Sequence, residues 1–221
     1  MIRRVATGLF LIASTARGAF AQRDTLLLGD REANAELAKI VSAARDAGLP
    51  VSPIYGKVHY GISVAHAPPA LILVKVRALV ARLAIARDAL APDADTSDIT
   101  SGADALEQNA TKDQLLAVRN ASGNQPVSMS LGVLTQLLAS GVSPKRAAAI
   151  VTDLLKRHAS ARQLVALGTD VNADVANGAQ ANAALDIRLR GLTDVLAPVG
   201  AGAASEPSPA AMSPLVPKKK P

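Results

Sequence analysis

Residues 50–68, PVSPIYGKVHYGISVAHAP, and residues 126–144, PVSMSLGVLTQLLASGVSP, align without a gap at an offset of 76. Pro50, Val51, Ser52, Gly56 and Pro68 recur as Pro126, Val127, Ser128, Gly132 and Pro144. Those five identities in 19 positions exceed the roughly one or two that average composition supplies. Apolar positions correspond too: Tyr55 with Leu131, Val58 with Leu134, Ile62 with Leu138, Val74 with Ile150 and Leu79 with Leu155. Upstream, AARDAG falls opposite AVRNAS after a two-residue shift. The chain is expected to contain one structural unit twice. A period of 76 is longer than common solenoid repeats, and two copies do not make an array.

The apolar spacing says what that unit is made of. Leu37, Ile40, Val41 and Ala44 share one helical face, with Asp30 as N-cap and Gly48 and Pro50 as the stop. Ser52 and Pro53 read as a cap followed by Pro in the first turn, and Ile54, Tyr55, Val58 and Ile62 then recur every three or four residues. Pro68 and Pro69 open a third helix. Its core stripe is Ile72, Val76, Leu79 and Leu83, with Lys75 and Arg82 away from it. Leu71, Leu73, Val74 and Val80 widen that stripe, which predicts contacts on two sides. A polar break and a short helix around Ile99, Ala103 and Leu106 follow. Thr111 and Gln114 then form a capping box, and Ser143–Pro144 repeats the cap-plus-Pro device. The last helical region is expected from about Thr169 to Leu196, with a first half softened by Asn and Gly.

Composition agrees with helices. Both phenylalanines, Phe10 and Phe20, fall near the N-terminus, and the chain has no Trp or Cys. From Gln22 onward the core must be Leu, Val, Ile and Ala, which favours helix over strand. The fold expected is all-α: two tandem, duplicated three-helix units plus a long C-terminal helical region.

The ends read differently. Arg3 and Arg4, the apolar run 5–13 and Ala19-Phe20-Ala21 make a signal peptide with cleavage after Ala21. The run is about half of the roughly 20 residues a membrane span needs, so export to the periplasm or the outside is expected, without an anchor. Residues 198–221 are rich in Pro and Ala and poor in bulky apolar side chains, the composition of a disordered tail. The expected organisation is 1–21 signal peptide, 30–91 first unit, 92–110 polar linker and short helix, 111–197 second unit with C-terminal helix, and 198–221 tail.

These cuts remove most of the charge. Of the formal +6, Arg3, Arg4 and Arg17 account for +3, and Lys218–Lys220 against Glu206 for +2, leaving +1 on residues 22–197. A nucleic-acid-binding body is expected to carry its basic patch within the fold, so that function is disfavoured. Lys218–Lys220 suit weak contact with a polyanion or anionic lipid.

Tyr55, His59, Tyr60 and His66 are the candidate ligand-binding residues, because both tyrosines and two of three histidines fall in 48–69. The alignment reduces this set, since Tyr55 matches Leu131 and reads as core. His59 and His66 make a poor metal site, for no acidic residue lies between Asp46 and Asp88. Asp93, Asp95, Ser97, Ser101 and Asp104 have calcium-loop spacing, but Asp98 stands where the sharp turn needs Gly, and Asp104 replaces the bidentate Glu. Caps in a solvated linker are the simpler reading. No Cys, nucleophile elbow or Gly-rich phosphate loop is present. The expectation is a non-catalytic exported helical protein, without metal or cofactor, that engages a protein partner as an interaction or envelope-associated module. The alternative is a ligand or metal site between the two halves near Tyr55 and His59.

Overall fold

A computed structural model describes residues 28–123 and 126–196, with side chains to Leu192. The expected signal peptide and the 198–221 tail lie outside the described residues. Within them the chain is all-helical: α1 Arg31–Asp46, α2 Ser52–Ser63, α3 Pro69–Leu90, α4 Thr96–Glu107, α5 Lys112–Ser122, α6 Val127–Ala139, α7 Pro144–Lys156, α8 Ala161–Ala176 and α9 Ala181–Leu196.

Seven of the nine helix starts among the described residues have a local cause. Asp30 accepts a hydrogen bond from the Glu32 N–H. Asp95 with Asp98, Thr111 with Gln114, and Ser160 with Gln163 form capping boxes that satisfy orphan donors from both directions. Ser52, expected to cap α2, is instead its first helical residue; Val51 precedes it and makes no side-chain cap. Proline in the first turn opens α2, α3 and α7, where its missing N–H costs nothing.

Four of the stops, those of α1, α4, α6 and α7, follow one rule. Leu49, Ala110, Val142 and Ala159 each return a backbone N–H to a carbonyl five residues back, and all four are buried. The residue before each is Gly48, Asn109, Gly141 or His158, all with positive φ. This is the left-handed terminator in which an apolar residue beyond the turn folds back onto the helix.

Packing makes one core. Residues from Leu28 to Leu185 belong to a single apolar cluster. Within it α4 is wedged between α3 and α6. Gly102 sets that wedge: a Cβ there would lie 2.9 Å from Ala86 Cβ and 3.1 Å from Leu90 Cδ1. The expected short helix around Ile99 is thus a central element, with Ile99, Ala103 and Ala105 buried.

The C-terminal region differs from the sequence expectation. It begins at Ala161, and Gly178 with φ +95° breaks it, so α8 and α9 pack side by side rather than continuing as one rod. Arg188 of α9 reaches Asp174 (2.7 Å) and Asp170 (3.4 Å) of α8, and Arg146 pairs with Asp186. The Asn–Gly pair that weakened the helical pattern is the turn itself.

Candidate interaction surface

On α2, Ile54, Val58 and Gly61 face the core at three- and four-residue spacing. Gly61 is where α2 meets α3, since a Cβ there would stand 2.8 Å from Ile72 Cγ1. This frame sets the four candidate residues. The Tyr55 ring is half-buried and packs on the core, as expected from its match with Leu131. His59, Tyr60 and His66 are exposed, and His66 occupies a left-handed position (φ 47°) in the turn before α3. Tyr60 is 56% exposed and lies five residues beyond Tyr55, on another side of the helix. The four side chains are thus divided between the core-packed side of α2, its exposed side and the turn before α3. Among the described residues, no group of three His, Cys, Asp or Glu side chains could hold a metal ion.

A charged cluster that sequence reasoning missed lies beside them. Lys57 of α2 and Arg82 of α3 both reach Glu107 at the end of α4, at 3.1 and 3.2 Å. Asp104, one turn earlier on α4, is held above the ordinary carboxylate range. Loss of water is the first cause and the Glu107 charge the second, while Lys57 and Arg82 pull the other way. The Arg82 Nε is buried without an acceptor. Spacing placed Arg82 off the core stripe but could not show that α4 ends beside it, 25 residues later.

The acidic stretch is committed to structure. Asp95 caps α4, Asp98 accepts from the Ser128 N–H at 2.8 Å and so ties α4 to α6, and Asp93 lies 3.7 Å from Arg119. Elsewhere, a cavity of about 670 Å³ between α5 and α7 is lined by Thr152, Lys156 and His158, and the buried Thr152 hydroxyl has no partner there. The C-termini of α5 and α7 converge on it, and Lys156 in the last turn of α7 complements that helix's macrodipole.

The most distinctive surface is the outer face of α3. Ile72, Val76, Leu79 and Leu83 are buried on one side, as expected. Of the residues expected to extend that contact, Leu73 is buried and Val80 partly so, but Leu71 is 46% and Val74 is 55% exposed. They begin a second stripe: Leu71, Val74, Ala78, Ala81 and Ile85, all exposed, spaced three, four, three and four. That is heptad spacing, the pattern a helix shows to another helix. Lys75, Arg77 and Arg82 flank it; Arg77 pairs with Glu36 (3.1 Å), whereas Lys75 pairs with no carboxylate among the described residues. On α2, Tyr60 follows Lys57 by three residues, on the side that reaches Glu107, and Val64 is the exposed residue just past the helix end.

Of the nine large apolar side chains exposed among the described residues, five (Tyr60, Val64, Leu71, Val74 and Ile85) belong to this α2–α3 pair. Soluble chains scatter such residues singly, and a gathered set marks a contact surface. No helix among the described residues is long and apolar enough to cross a membrane. No protein-family model, curated protein or solved structure matches the chain.

Proposed function

We propose that this is an exported, non-catalytic helical protein that acts by binding a protein partner through the outer face of α2 and α3. The observation that carries the reading is the heptad-spaced stripe Leu71, Val74, Ala78, Ala81 and Ile85, exposed along a helix whose other face is already used by the core. The signal-like N-terminus with Ala19-Phe20-Ala21 supports export and an envelope or extracellular setting. The alternative ligand or metal site near Tyr55 and His59 has less support, because Tyr55 spends its ring on the core while His59 stands in solvent.

We also read the fold as a duplicated three-helix unit. In support, Ile54, Val58 and Gly61 of α2 and Ser130, Leu134 and Leu137 of α6 are buried, each pair 76 residues apart. On the third helix the buried positions agree at 75: Ile72, Leu73, Val76 and Leu79 with Ala147, Ala148, Val151 and Leu154. The copies have diverged in use, since α7 stops at Lys156 and lacks the length that gives α3 its outer stripe.

The test is a pull-down of the intact protein from envelope extracts of its host, with the Ala78→Glu variant as the paired bait. A partner retained by the parent and lost by the variant supports the reading. Identical captures, or none, overturn it. Cleavage is read separately, from the N-terminal residue of the exported chain: Gln22 is expected, and a retained Met1 removes the export half.

A further inference from the structure

The outer stripe of α3 is self-complementary, and its rim has complementary charges. Its ends are large, with Leu71 and Val74 on one side and Ile85 on the other, and its centre is Ala78 and Ala81. Small side chains at the centre let two helices approach closely, and large ones on either side fill the space the crossing leaves. An antiparallel copy placed about a two-fold axis between Ala78 and Ala81 sets each alanine against the other copy's alanine. Val74 then meets Ile85 of the other copy, once on each side of the axis. A two-fold contact uses the same patch twice, which this stripe permits.

The charges choose between orientations. Beside the stripe, Lys75 is without a carboxylate among the described residues, and Arg82 carries Glu107 with Asp104 behind it. Antiparallel pairing brings Lys75 of each copy to Arg82 of the other, where Glu107 and Asp104 supply carboxylates to both cations. Parallel pairing instead sets Arg77, which already has Glu36, against Arg82, and leaves Lys75 without a carboxylate. A membrane surface fits less well, because the middle of the stripe is recessed alanine rather than protruding aromatic and leucine side chains.

We infer that the occupant of the α3 face is a second copy of this chain, paired antiparallel through Leu71, Val74, Ala78, Ala81 and Ile85, with Lys75 reaching the Asp104–Glu107 corner of the other copy. This rests on the reading that the α2–α3 face is a protein-contact surface, and it names the partner. One helix face with a short extension at Tyr60 and Val64 falls below the roughly 800 Å² per partner of standard interfaces, so the dimer is weak, with a Kd above about 1 µM.

Sedimentation of the intact protein tests it. The parent is expected to move from monomer to dimer as concentration rises towards about 1 mM. Ala78→Glu is expected to raise the Kd at least about tenfold, because each copy then buries an unpaired carboxylate against Ala81 of the other, with helical circular dichroism unchanged. The chain has no cysteine, so cross-linking reads the orientation cleanly. Mixed Val74→Cys and Ile85→Cys proteins should form the 74–85 disulfide in preference to either homodisulfide. A parent that stays monomeric at about 1 mM overturns self-pairing, as does a dimer indifferent to Ala78→Glu. Preferential 74–74 bridging overturns the antiparallel arrangement. The wider reading of the surface fails separately, in the pull-down, if Ala78→Glu loses no partner there.

Discussion

At the residue scale, the informative positions are those where a side chain is held against its own preference. His158 ends α7 in a left-handed conformation (φ 58°), in the place that Gly48 and Gly141 fill after α1 and α6. A Cβ makes that conformation cost about 1 kcal/mol, so His158→Gly should stabilise the protein by about that much, measured by urea unfolding. A side chain that repays its strain by capping would reverse the sign. Asp104 is a second such position. Its native pKa lies above the ordinary value of 3.8, so its charged form is disfavoured by folding. The full cost is present above the native pKa and fades as pH falls towards 3.8 and below. Asp104→Asn should therefore be more stable than the parent at pH 7, with the difference gone once both states are protonated. These positions were only partly legible. The glycine stops at 48 and 141 follow from conformational freedom, but His158 shows no local mark of a left-handed residue, and Asp104 depends on neighbours from α2 and α3.

At the scale of elements, helix identity followed from spacing and helix partnership did not. The Thr111 and Ser160 boxes are each encoded within four residues, so they can be read without tertiary knowledge. Which helices approach closely is decided by small residues whose role shows only in contact. Gly102→Ala should lose about 1–3 kcal/mol, because the new methyl meets Ala86 Cβ at 2.9 Å and neither backbone can yield freely. Gly168→Ala on α8 is the contrast. Its methyl meets the Gln136 Oε1 at 2.6 Å, the end of a side chain that can turn away, so the gain in helix propensity of roughly 1 kcal/mol should dominate. Thermal or urea unfolding of the two variants should give opposite signs. The α8–α9 pair has its own signature. The Arg188 guanidinium hydrogen-bonds Asp174 and holds its carboxyl below the ordinary 3.8. That contribution is present above 3.8 and lost as pH falls through the lowered native value. The stability gap between parent and Arg188→Gln should accordingly be constant near neutral pH and close in acid.

For the whole molecule, one apolar cluster runs through both halves, with α4 wedged between α3 and α6. Unfolding should be a single cooperative transition, with calorimetric and van't Hoff enthalpies equal, and residues 22–91 alone should show little helical structure. Two resolved transitions would mean that the halves fold independently. The sequence by itself determined the helical class, the starts of α1, α3, α5 and α7, the stop of α1, and the buried stripe Ile72, Val76, Leu79 and Leu83. Those features arise from hydrogen bonds and spacings within a few residues. Only the tertiary structure decided that Leu71 and Val74 remain in solvent, that Glu107 bridges Lys57 and Arg82, and that Tyr55 packs on the core while His59, Tyr60 and His66 stand in solvent. Periodicity reports that a helix has two apolar faces, but which one is covered depends on where distant helices pack, and no local spacing carries that information.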